Sequence, residues 1–133
     1  VNTPTAFANV VYPTADLDAS VAAFTAMLGA EPVFRTEDYA MYAIGLALSA
    51  KPWVPHPLPF WTVVDIAATH TAMVALGATA LGEVADRSLA EIGTAPIVNG
   101  DPETGIVDLP GNRLAVLKAT DGNLIAINQP IGW

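Results

Sequence analysis

Gly111-Asn112-Arg113-Leu114-Ala115-Val116-Leu117-Lys118-Ala119-Thr120-Asp121-Gly122-Asn123-Leu124-Ile125-Ala126-Ile127-Asn128-Gln129-Pro130 is the stretch that decides the fold. Leu114–Ala119 is an apolar run rich in strand formers, and Leu124–Asn128 resumes it after a polar break. Asp121-Gly122-Asn123 supplies the break. Glycine takes positive φ cheaply, and Asp or Asn side chains bond the local backbone. Two apolar runs around such a turn predict a β-hairpin.

Outward from the hairpin, the chain reads as one pattern used twice. Phe7–Tyr12 is strand-like and is ended by Pro13-Thr14. Asp16 is a suitable N-cap for a helix over Leu17–Leu28, in which Leu17, Val21, Phe24 and Leu28 recur at helical spacing. Gly29 suits the left-handed position that closes a helix. Glu31–Arg35, Tyr39–Ile44 and Leu46–Ser49 then read as three short strands. Four prolines stiffen the segment Ala50–Pro59, which is expected to be an extended linker. Phe60–Asp65 restarts the pattern: Asp65-Ile66 repeats Asp16-Leu17, and Leu76-Gly77-Ala78 repeats Leu28-Gly29-Ala30. The offset falls from 49 to 48 residues, so the second helix is expected to be one residue shorter. Ala78–Val84 is the next strand. Asp86–Pro110 has no counterpart in the first half. Within it Ser88-x-x-Glu91 reads as a capping box for one helical turn, and the segment as a whole as a mobile lid.

The quoted hairpin resembles the closing hairpin of the vicinal oxygen chelate superfamily, the glyoxalase, bleomycin-resistance and ring-cleaving dioxygenase group. Their usual form runs W-G-x-R-x-A-x-x-x-D-P-x-G-N-x-I-E-L-x-Q. The first-module pattern D-L-x-x-S-x-x-F-Y-x-x-x-L-G is matched by Asp16 through Gly29, with Thr25 in place of the tyrosine. The resemblance implies an α+β fold. Two βαβββ modules would form a half-open barrel around a cleft, with a mixed, mainly antiparallel sheet. The expected division is a single domain over residues 1–133. Its first module would span 5–50, the linker 51–59 and the second module 60–130, with the insertion at 86–110.

Metal-using members of that superfamily place ligands on the first and last strands of each module. The matching positions here are Asn9 and Leu58 on the first strands, and Ala47 and Ala126 on the last. Ala126 stands in Ile125-Ala126-Ile127, where the family's I-E-L carries a glutamate. A divalent metal needs several converging His or carboxylate donors, and one amide does not supply them. The expectation is therefore no metal and no cofactor. His56, two residues before Leu58, is the nearest imidazole and reads as a linker or rim residue. His70 reads as a packed helix residue.

The remaining candidates for ligand contact follow the same alignment. Asn9 and Val11 would face the cleft from the first strand. Phe60 and Trp61 alternate across one strand, so only one of them can face it; Phe60, with Thr62 and Ala126, is the choice. Tyr42, Trp53 and Trp133 could add aromatic surface, His56 would stand at the rim, and Arg113 either clamps an anion or pairs with a nearby acid.

Composition bounds the function. The 133 residues are 53% hydrophobic and 14% charged, enough for a core and unlike a disordered chain. No apolar run reaches the ~20 residues of a membrane helix, and Val1–Asn9 lacks the basic start and long apolar centre expected of a secretory signal. The expectation is a cytoplasmic protein without a membrane or nucleic-acid partner, since a net charge of −8 repels phosphates. The absence of cysteine removes disulfides and thiolate chemistry. The leading reading is a metal-free protein that binds a flat, neutral or cationic small molecule and works as a homodimer. The alternatives are a metal-independent lyase or isomerase using Asn9, His56 or an acid of the insertion, and a non-catalytic accessory subunit.

Overall fold

The computed structural model describes residues 2–131, so the Trp133 expectation lies outside the described residues. Two helices and ten strands are present among them, an α+β arrangement of mixed, mainly antiparallel pairing. The described residues divide into two compact units, one of residues 9–58 and the other of residues 2–8 with 59–131.

The first unit holds most of β1 (Ala6–Pro13), with α1 (Leu17–Leu28), β2 (Phe34–Arg35), β3 (Tyr39–Met41) and β4 (Leu46–Ser49). Asp16 caps α1 by accepting the Ala19 amide at 3.1 Å, and Gly29 closes it at φ 70°. The strand order is β2-β3-β4-β1; β1 runs parallel to β4, and the other two pairs are antiparallel. Leu17 and Val21 of α1 pack on Ala40, Tyr42 and Leu48, with Tyr12 and Leu46 beside them. That cluster fixes the face of the sheet the helix covers.

The second unit repeats the scheme with β5 (Leu58–Thr62), α2 (Ile66–Ala75), β6 (Thr79–Glu83), β9 (Asn112–Lys118) and β10 (Leu124–Pro130). The insertion adds β7 (Leu89–Glu91) and β8 (Val107–Leu109). The order is β5-β10-β9-β6-β7, with β8 also on β9; β5 and β10 are parallel, as β1 and β4 are. Asp65 caps α2 through the Ala68 amide at 3.1 Å, the same distance as in the first unit. Val63, Ile66, Ile106, Ala115, Leu117 and Ile127 form the core beneath α2. Residues 2–8 join this unit at β5: the Thr5 amide donates to the Thr62 carbonyl at 2.8 Å, and Phe7 meets Trp61 edge-on at 5.3 Å.

The hairpin of β9 and β10 is in the expected place, with Leu124 opposite Lys118 and Ala126 opposite Val116. Asn123 bonds Asp121 through its backbone N–H and its side-chain amide, which holds the Asp121 carboxyl below its ordinary range.

Several expectations are corrected. Ser88–Glu91 is not a helical turn. Leu89–Glu91 pairs with Leu81–Glu83, while the Ser88 amide and hydroxyl both donate to Asp86. The ladder satisfies three residues' backbone at once, which outweighs a local capping preference. The insertion is not a free lid either. It carries two strands, and Ile106 enters the α2 core. A Cβ on Gly105 would lie 2.1 Å from the Leu81 carbonyl oxygen, a close approach that requires glycine. The proline-rich segment bends at residues 51 and 53–56 instead of running extended, and β5 already begins at Leu58. Helix α2 is two residues shorter than α1, at 10 against 12.

Candidate functional site

Strand alternation places every second residue on the side of each sheet away from its helix. In the first unit Tyr12, Leu46, Leu48 and Ala40 belong to the α1 cluster, so Val11, Ala47 and Met41 face the other way. The register joins them into one row: Val11 beside Ala47, Ala47 beside Met41, Met41 beside Phe34. In the second unit Trp61, Ile127, Ala115 and Leu117 belong to the α2 core. The opposite row there is Phe60, Ala126, Val116 and Leu81, again in register across four strands. Both rows are hydrocarbon throughout, apart from the Met41 sulfur.

A second row follows in the same unit. Thr62 is in register with Asn128, and Asn128 with Leu114. The Thr62 hydroxyl donates to Asn128 Oδ1 at 3.2 Å, and Asn128 Nδ2 donates to Asn112 Oδ1 at 3.3 Å. Asn128 is buried, so this chain of bonds meets the need of a buried amide for partners. Phe60, Ala126, Val116 and Leu81 are all buried, and the polar string runs beside them on the same face.

The expected contact residues distribute unevenly over these surfaces. Phe60, Thr62 and Ala126 share the face away from α2. Val11 lies on the corresponding face of the first unit. Asn9, half-buried on β1, is hydrogen-bonded through its side chain to Tyr39. Burial pushes the Tyr39 phenol above its ordinary range, and the Asn9 bond partly offsets that. Tyr42 is on the wrong side for contact. It lies under α1, 2% exposed, with its hydroxyl bonded to Thr25 Oγ1 at 2.9 Å and to the Val21 carbonyl at 3.2 Å. Arg113 alternates with Leu114 and so turns from the Phe60 face, where its Nε donates to Asp108 at 2.7 Å. Its expected ion pair is present. Trp53 is half-buried in the bend segment, and His56 is exposed there with Nδ1 2.9 Å from the Pro57 carbonyl oxygen.

The sequence reading missed Met41, Val116, Leu81, Asn112 and Asn128. Val116 was within reach, since the Asp121-Gly122-Asn123 turn sets it opposite Ala126. Leu81 depends on the distant pairing of β6 with β9, which no local signal announces.

Solved structures share this organisation. Methylmalonyl-CoA epimerase from Mycobacterium tuberculosis matches with a TM-score of 0.61 at 15% identity, over 97% of this chain and 90% of its own. A glyoxalase/bleomycin resistance protein/dioxygenase superfamily member from Vibrio splendidus 12B01 matches at 0.56 and 16%, over 97% and 100%. This is the vicinal oxygen chelate fold. NAD-dependent benzaldehyde dehydrogenase from Legionella pneumophila also matches, at 0.60 and 12%, over 92% and 97%. No protein-family model and no curated protein matches the sequence.

The positions that the sequence resemblance matched to metal ligands are Asn9, Ala47, Leu58 and Ala126. Three of the four are hydrocarbon, and both alanines are fully buried. Such a set does not fit a divalent ion, which needs several oxygen or nitrogen donors. Among the described residues no group of three or more His, Cys, Asp or Glu could hold a metal ion. No helix among them is long and apolar enough to cross a membrane.

Proposed function

We propose that the protein binds a flat, largely apolar small molecule, neutral or cationic, without a metal. The supporting observation is the row Phe60-Ala126-Val116-Leu81, in which alanine occupies the last-strand position and no acid or imidazole interrupts the hydrocarbon. Phe60 offers a ring for stacking, and the Thr62-Asn128-Asn112 string offers hydrogen bonds to one polar edge. The net charge of −8 favours a cationic or neutral ligand over an anion. A homodimer is proposed as the working unit; exposed Met27, Val33 and Phe34 offer apolar surface for association.

Native mass spectrometry of the freshly purified protein, followed by a binding screen of matched cationic, neutral and anionic aromatic compounds at two salt concentrations, tests the reading. A copurified neutral or cationic aromatic, with cation binding weakened by salt, supports it. A clear preference for anions would contradict it.

A further inference from the structure

His70 lies on α2 and is only 5% exposed, and its Nε2 has no hydrogen-bond partner. The ring is hydrogen-bonded to the backbone of Thr104, which belongs to the insertion. Thr104 is part of a compact turn. Asp101 Oδ1 accepts the amides of Glu103 at 2.7 Å and Thr104 at 3.1 Å, and the Gly105 amide donates to the Asp101 carbonyl at 2.7 Å. The next residue, Ile106, enters the core beneath α2. A cavity of about 520 Å³ is lined by Ala67 of α2, by Asp101, Thr104 and Ile106 of the turn, and by the paired Asp108 and Arg113. One imidazole thus links a helix to the irregular part of the insertion.

A neutral ring suits this place, since one nitrogen can serve Thr104 and the other is a lone pair shut away from water. A charged ring does not suit it. Protonation would create a buried N–H on Nε2 with no acceptor, an arrangement that is costly. Asp101 is the charged group that acts on the ring from the insertion, and it favours the proton, as does the Thr104 bond. Asp101 already spends Oδ1 on two amides. Burial outweighs both and holds the imidazole below its ordinary value of 6.5. Thr69, the neighbouring buried residue with an unpartnered hydroxyl, adds no charge.

We propose that His70 is a proton-sensitive latch that keeps the 101–106 turn docked on α2 and releases it in mild acid. The docked form has the lower imidazole pKa, so docking is strongest above about pH 6.5 and weakens as pH falls through the docked-state pKa. One proton taken up on opening raises the opening constant by at most about tenfold per pH unit across that window.

The chain has two histidines, so histidine-labelled protein gives two imidazole signals to follow by NMR. The experiment combines that titration with hydrogen exchange at the Gly105 and Asp101 amides, corrected for intrinsic exchange, from pH 8 to pH 5. The expected result is a His70 midpoint below 6.5 and a rise in corrected exchange as pH falls. His70→Gln should remove the pH dependence, and Asp101→Asn, which removes the charge but keeps an acceptor for the turn, should move the midpoint lower. A His70 midpoint at or above 6.5, or exchange that stays flat while His70 takes its proton, would overturn the proposal. Either result is read in the unaltered protein, so the conclusion does not depend on the variants folding.

Discussion

Ala126 sits beside Phe60 on neighbouring parallel strands, as Ala47 sits beside Val11 in the other unit. Phe60 follows Val11 by 49 residues, the offset that separates the helix caps Asp16 and Asp65. The two modules therefore share one register. That register makes the two alanines equivalent and removes any slip that could bring a donor to one position alone.

Replacing Ala126 by Glu would put there the carboxylate that the sequence resemblance aligns with this position. At a fully buried position it would be unpaired, with a raised pKa. A group whose folded pKa is raised does least harm below its unfolded value of about 4.3, and the harm grows as pH rises. Ala126→Glu should be destabilised by several kcal/mol (on the order of 3) at pH 7 and less at pH 4. Urea unfolding at the two pH values measures the difference. Equal destabilisation at both would show that the site is not dry.

The Tyr42 hydroxyl bonds Thr25 and the Val21 carbonyl beneath α1. Tyr42→Phe removes those bonds and leaves Thr25 to find water. A loss of about 1 kcal/mol is expected, with no change in ligand affinity, since the ring is under the helix. Urea titration checks the first part and calorimetry the second.

Asn128 is the middle of the polar string. Asn128→Ala strands the Asn112 carbonyl oxygen and leaves the Thr62 hydroxyl without its acceptor, with an expected loss of about 1–3 kcal/mol. Thr62→Val in the Asn128→Ala background should cost less than in the parent, because the partner is already gone. A double-mutant cycle by chemical denaturation measures that coupling.

Each helix begins on a capping aspartate with the same 3.1 Å bond. Asp16→Ala and Asp65→Ala should each lower stability by about 1 kcal/mol. Thermal unfolding of the two variants checks whether the repeated geometry carries a repeated energy.

Much of this architecture was legible because it is local. Asp-Gly-Asn set the closing hairpin, and Asp16 and Asp65 each marked a helix start that the structure keeps. Phe60 and Trp61 separate to opposite faces because alternation is a property of the strand itself. Tyr42 was harder. It stands just past the three-residue β3, and parity alone does not reveal which face the helix covers. The insertion was misjudged because the β7 and β8 ladders join segments through pairing that composition does not encode. Asn128 carried no motif. It counts only once Thr62 and Asn112 are brought to it, across 66 and 16 residues of sequence.

Metal-independent binding on the hydrocarbon row can be followed directly by NMR. Methyl-labelled protein, saturated with chelator, should be titrated with a neutral or cationic aromatic ligand while the Ala126, Val116 and Leu81 methyls are followed by NMR. The expected result is saturable shifts at these methyls, unchanged when zinc, manganese or nickel is supplied in place of chelator, and metal content well below one equivalent per chain after dialysis. Shifts that require added metal, or a stoichiometric metal that survives dialysis, would contradict it.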